Sequence, residues 1–86
     1  MRNETFRTSD LELSACIVTA GVAPLKIVPG RELVEFVFPI NGTIQDTINE
    51  YSAGTLCQAV RKLAKHRTWL YKQMKDVVRF GREVVL

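Results

Sequence analysis

Cys16, Cys57 and His66 are the residues whose types could support covalent or metal chemistry, and they are the chain's only cysteines and only histidine. Neither cysteine has a second Cys or His at zinc-ligand spacing, and a single histidine excludes a multi-histidine centre. Cys57 and His66 both fall inside one predicted helix, rotated by about 900° from each other, so they face opposite sides. A Cys-His nucleophile pair would then need two chains. Asp10 and Glu12 stand at a predicted helix start, where negative charge complements the macrodipole, and serve that role better than an acid/base couple. The sequence has no H-E-x-x-H, no G-x-x-x-x-G-K-[ST] and no G-x-G-x-x-G. No catalytic, cofactor-binding or metal-binding residue is therefore expected, and no small-molecule substrate is evident. The chain reads as non-enzymatic.

Binding chemistry is better represented. The pattern predicts a long C-terminal helix capped by Thr55, running to Phe80 and stopped by Gly81. At ~100° per residue from Arg61, Leu56, Ala59, Val60, Leu63, Leu70, Met74, Val77 and Val78 form one apolar stripe at ~160–260°. Arg61, Lys65, Lys72, Lys75 and Arg79 fall within ~40° of zero, directly opposite, and span about 27 Å of helix. Asp76 dilutes this ridge, and Trp69 flanks it at ~80°. Such a ridge can meet a phosphate backbone, five contacts giving a log–log salt slope of about −4.5. Trp69 can stack on an unpaired base. The same pattern also describes a solvated face, with lysines serving helix propensity and Trp69 covering the core's edge. Arg67 interrupts the apolar stripe, which predicts a snorkelling stem or a carboxylate partner among Glu12, Asp46 and Glu50.

The elements that must position these groups fit one small domain, residues 1–86. The chain has 86 residues and 9.7 kDa, 47% hydrophobic and 24% charged, too short for two cores and too apolar for disorder. The net charge of +3 is uneven: residues 1–54 hold four basic against seven acidic groups, residues 55–86 eight against two. That asymmetry points to an acidic partner or to self-association of unlike faces. One disulfide is allowed by count. Two free thiols in a reducing cytosol are expected instead, because each Cys sits in an apolar, apparently helical pattern. Leu13-Ser14-Ala15-Cys16 imitates a lipoprotein attachment site, but Asp10 and Glu12 stand where a signal would be basic. No stretch reaches the ~20 apolar residues of a membrane span. The protein is expected to be cytoplasmic and away from membranes.

Phe6-Arg7-Thr8 reads as a short strand. Ser9 is placed to cap the first helix in a capping box with Glu12, and Leu13, Cys16, Ile17 and Ala20 give its apolar stripe before Gly21. Leu25–Val28 and Glu32–Phe38 are predicted strands around Pro29-Gly30-Arg31, with Val34, Phe36 and Phe38 on one face and Pro39 as the end. Thr43, with Asp46, is placed to cap a second helix striped by Ile44, Ile48 and Tyr51 and closed by Gly54. Residues 81–86 are either an extra strand or a flexible tail. The expected fold is α+β: short strand, helix, β-hairpin, helix and long C-terminal helix, with helices covering a small antiparallel sheet.

Phe6-Arg7-Thr8-Ser9-Asp10-Leu11, the Gly21 stop, Phe36-Val37-Phe38 and Tyr51-Ser52-Ala53-Gly54 together resemble a family of small uncharacterised bacterial and phage proteins, a domain of unknown function. The resemblance covers roughly residues 5–75, with Ser14 departing from it where a small apolar residue is expected. It implies a prokaryotic or phage cytosolic protein of α+β fold, and it carries no activity. Two functions follow as expectations. The first is a protein-interaction or assembly module, a homodimer or a partner of another protein, through Leu33, Val37, the first strand's edge or the apolar tail. The alternative is a DNA- or RNA-binding accessory using Arg61, Lys65, Trp69, Lys72, Lys75 and Arg79.

Overall fold

The computed structural model describes residues 4–86 and has the α+β architecture. Its elements are β1 (Thr5–Thr8), α1 (Leu11–Thr19), β2 (Lys26–Val28), β3 (Glu35–Pro39), α2 (Gly42–Ala53), α3 (Val60–Phe80) and β4 (Val84–Val85). The four strands form one antiparallel sheet in the order β1-β3-β2-β4. No helix among the described residues is long and apolar enough to cross a membrane.

Helix starts follow the side chains that can reach a free amide. Asp10, not Ser9, caps α1: its Oδ1 accepts from the Leu13 amide at 3.1 Å. The Thr8 hydroxyl oxygen in turn accepts from the Asp10 amide at 3.1 Å, so the end of β1 already sets the cap. A carboxylate there satisfies an orphan N–H and places charge on the dipole, which Ser9 could only half supply. Asn41, not Thr43, caps α2, accepting from the Ile44 amide at 2.9 Å. Thr43 is already inside the helix, and its carbonyl accepts from the Thr47 hydroxyl.

Thr55 does not open α3. Its amide donates to the Glu50 carbonyl at 3.0 Å, closing α2 behind Gly54 at φ 74°. Residues 55–59 therefore form a linker, and α3 begins at Val60 after Ala59, which offers no side-chain cap. Gln58 fixes this linker to α1, its Nε2 donating to the Cys16 carbonyl at 2.8 Å. Leu56 and Ala59 consequently lie outside the helix whose stripe they were expected to extend.

The link between β2 and β3 is also longer than Pro29-Gly30-Arg31, because Glu32, Leu33 and Val34 precede the strand. Gly30 is required there: a Cβ would stand 2.0 Å from the Leu33 carbonyl oxygen. After Gly81 the chain returns antiparallel to β2, with Ile27 opposite Val84 and the Leu86 amide on the Leu25 carbonyl at 3.0 Å. The tail is thus a fourth strand of its own sheet.

One sheet face carries Phe36, Phe38 and Ile27 into a core with Leu13, Ala15, Ile17, Val22, Ile44, Leu70 and Val77, all buried. Val37 points the other way but is only 1% exposed, against the expectation of an exposed Val37. Register puts Arg7 and Lys26 on either side of it, so their long stems shield it. Their heads reach Glu35 at 3.8 Å and Glu83 at 3.6 Å.

Within α1, Leu13 through Ile17 are all buried, and the Ser14 hydroxyl among them has no hydrogen-bond partner. An unpaired buried hydroxyl costs about 1–3 kcal/mol, which alanine would relieve while keeping the helix. Ser14→Ala should raise the urea midpoint by an amount worth about 1 kcal/mol, without a change in slope. A midpoint that falls would mean the hydroxyl is satisfied in solution.

Candidate functional site

The α3 helix packs on α1 by a narrow line. Leu70 and Val77 are fully buried, while Leu63, His66, Gln73 and Met74 are half-buried beside them. The expected apolar stripe was wider than the line α1 covers. Val60 and Val78 are 79% and 68% exposed, because at ~260° they sit on the flank of the contact.

All five predicted basic residues, Arg61, Lys65, Lys72, Lys75 and Arg79, are exposed on the face opposite this line. The ion pairs among the described residues are Arg7–Glu35, Lys26–Glu83 and Arg67–Glu12, and none involves the ridge. Arg67 therefore pairs with Glu12, one of its three candidate carboxylates, and fastens α3 to α1. Trp69, 38% exposed, shares a shallow surface groove with Arg61, Ala64, Lys65, Thr68 and Lys72. The small Ala64 and Thr68 side chains leave this groove open. Lys72, Lys75 and Arg79 continue the surface past Asp76.

Two further aromatics belong to the same face. The Lys75 ammonium lies 5.7 Å from the centre of the Tyr71 ring, and the Arg79 guanidinium 5.5 Å from that of Phe80. Both are cation–π distances, and both rings are substantially exposed. The helical wheel places Tyr71 at ~280° and Phe80 at ~100°, on opposite flanks, so their places could have been read from the sequence. They belong to neither the aliphatic stripe nor the line of cations, so the charge pattern does not single them out.

The other reactive groups are placed for structure. Cys57 lies in the linker rather than on α3, so the half-turn argument against its pairing with His66 does not apply. His66 instead bonds Thr19 across the α1–α3 contact at 2.9 Å. The Thr19 hydroxyl proton is already given to the Ala15 carbonyl, so His66 Nδ1 is the donor to Thr19 Oγ1. Cys16 and Cys57 are both free thiols, the first buried and the second exposed. Cys16 lines a small cleft with Tyr51, Gly54, Leu56, Gln58 and Leu63. Burial, then the charges of Glu12 and Asp10, push its thiol above the ordinary value, which disfavours the nucleophilic thiolate. Tyr51 donates to Asp10 Oδ2 at 3.2 Å, and burial and that carboxylate push its phenol up as well. Among the described residues no three His, Cys, Asp or Glu side chains are grouped to hold a metal ion.

A thiol that keeps its proton longer when folded stabilises the protein fully below its ordinary value of 9.0. That contribution is lost as pH rises from there toward the folded-state value. Urea unfolding from about pH 8 to about pH 10 should show stability falling more steeply in the wild type than in Cys16→Ala. Equal slopes would place the thiol in water.

Comparison of the chain with protein-family models, with curated proteins and with solved structures finds no match.

Proposed function

We propose that this protein is a non-enzymatic nucleic-acid-binding accessory, acting through the outer face of α3. The observation that carries this reading is a line of five exposed cations with no carboxylate partner among the described residues, running beside three exposed aromatics. An isolated solvated face usually dilutes its charge with i, i+4 carboxylates, which here are reduced to Asp76. Helix geometry fixes the ridge at about 27 Å, long enough to follow several successive phosphates. With the motif series, this describes a small cytoplasmic protein of a bacterium or phage.

A protein-interaction or assembly role is the second reading. It is favoured by an apolar groove beside the β2–β3 link, where Leu33 and Val78 are 66% and 68% exposed next to Met74 and Pro29. Val37 does not support it, since the fold covers that residue, whereas Val85 and Leu86 stay exposed on the outer strand β4. That role predicts a stable oligomer by light scattering, insensitive to salt.

The ridge predicts salt-sensitive binding. Anisotropy of labelled DNA and RNA should report affinity falling with salt at a log–log slope of up to about −4.5 on duplex. Lys65→Glu with Lys72→Glu should abolish binding and leave the circular dichroism spectrum and melting temperature unchanged. Affinity that survives this double reversal would move the site elsewhere.

A further inference from the structure

We infer that the α3 face is built for single-stranded nucleic acid, one backbone lying along the cationic ridge and its bases stacking on the aromatic flanks. The inference rests on the nucleic-acid reading and adds the class of strand.

The arrangement of groups around the helix carries it. A helix that enters the major groove, ~12 Å wide, meets phosphates at both walls and base edges at its tip. Its cations belong on the two flanks and its base-reading polar groups between them. Here the order is reversed. Five exposed cations lie within ~40° of the centre line, Lys62 at ~100° flanks the start of the helix, and Trp69, Phe80 and Tyr71 lie at ~80°, ~100° and ~280°. Duplex DNA offers such rings nothing, because its base faces are stacked on one another. A single strand offers each ring a free π-face, and stacking contributes about 1–3 kcal/mol per base without regard to sequence.

The rings are also held where a strand on the ridge would find them. Trp69 stands in one groove with Arg61, Lys65 and Lys72. Tyr71 and Phe80 are each held against a ridge cation, Lys75 and Arg79 respectively. A phosphate that draws Lys75 or Arg79 off its ring frees a π-face beside the bound backbone. At ~3.4 Å per stacked nucleotide, a ridge of ~27 Å spans about eight nucleotides, and fewer if the strand is extended. DNA and RNA share the phosphate and the π-face, so sugar identity is not selected by these contacts.

Trp69 is the chain's only tryptophan, which makes the stacking directly visible. Oligothymidylate and oligouridylate of about twelve residues and a hairpin duplex of similar charge would be titrated at one low salt concentration, by anisotropy and by Trp69 emission. The expected result is single-strand affinity on the order of tenfold above duplex, with Trp69 quenched by single strands only. Trp69→Ala should lower single-strand affinity far more than duplex affinity and so remove most of that preference, and Trp69→Phe should retain part of it. Because Trp69 is only 38% exposed and its replacement can disturb α3 itself, Tyr71→Ala with Phe80→Ala gives an independent loss in the same direction. Equal affinity for both forms, or aromatic variants that weaken duplex and single strand alike, would overturn the single-strand inference and leave the ridge standing. Absence of binding to every probe at low salt would instead overturn the nucleic-acid reading itself.

Discussion

Five consecutive buried residues in a nine-residue helix are the constraint from which this structure follows. Leu13 to Ile17 turn through more than a full circle at ~100° each, so α1 must be enclosed on every side. The sheet, α2 and α3 supply that enclosure, and α2, α3 and the linker between them are fastened to α1 or its cap by polar contacts. Asp10 takes the Tyr51 hydroxyl from α2, Glu12 takes Arg67 from α3, and the Cys16 carbonyl takes Gln58 from the linker. A helix this short has little stability of its own, so these neighbours hold it folded and it holds them together.

The exposed chemistry is a by-product of that geometry. Because α1 is short and slender, α3 needs only Leu70, Val77 and a half-buried fringe to bury its side of the contact. Most of the circumference of a 21-residue helix is left to water. Natural sequences can fill such a surface with mixed charge, and this one fills it with cations and rings. Of the reactive groups that remain, Cys16 and His66 are consumed by packing and by the α1–α3 hydrogen bond, and Cys57 stands exposed in the linker.

Where sequence reading succeeded, a side chain had one dominant use. Phe36 and Phe38 could only be core, Gly54 and Gly81 could only end helices, and the charge opposite Leu70 could only face water. It failed where one residue had two possible employers. Thr55 suits an N-cap, yet the amide behind Gly54 was claimed by the end of α2, and no local pattern shows which end wins. Asp10 and Asn41 outcompeted Ser9 and Thr43 because each sits at the residue the preceding strand delivers. Val37 alternates as an exposed strand residue should, and only the register with Arg7 and Lys26 reveals its cover. Of the candidate face, the cations and Trp69 were legible. The places of Tyr71 and Phe80 on the wheel were legible too, but not their exposure, since burial of an aromatic depends on the neighbour rather than on the helix that bears it.

The two-residue strand β4 has a meaning beyond completing the sheet. An open sheet rim is a template on which another extended chain can grow, and its hazard increases with its length and flatness. Here the rim beside β2 is taken by the chain's own end, leaving a ledge of Val84 and Val85 with the charged Lys26–Glu83 pair at its side. So short a ledge gives an incoming strand few amides to zip onto. Val84, Val85 and the Leu86 amide on the Leu25 carbonyl thus occupy backbone groups of β2 that would otherwise be free to pair with a foreign strand.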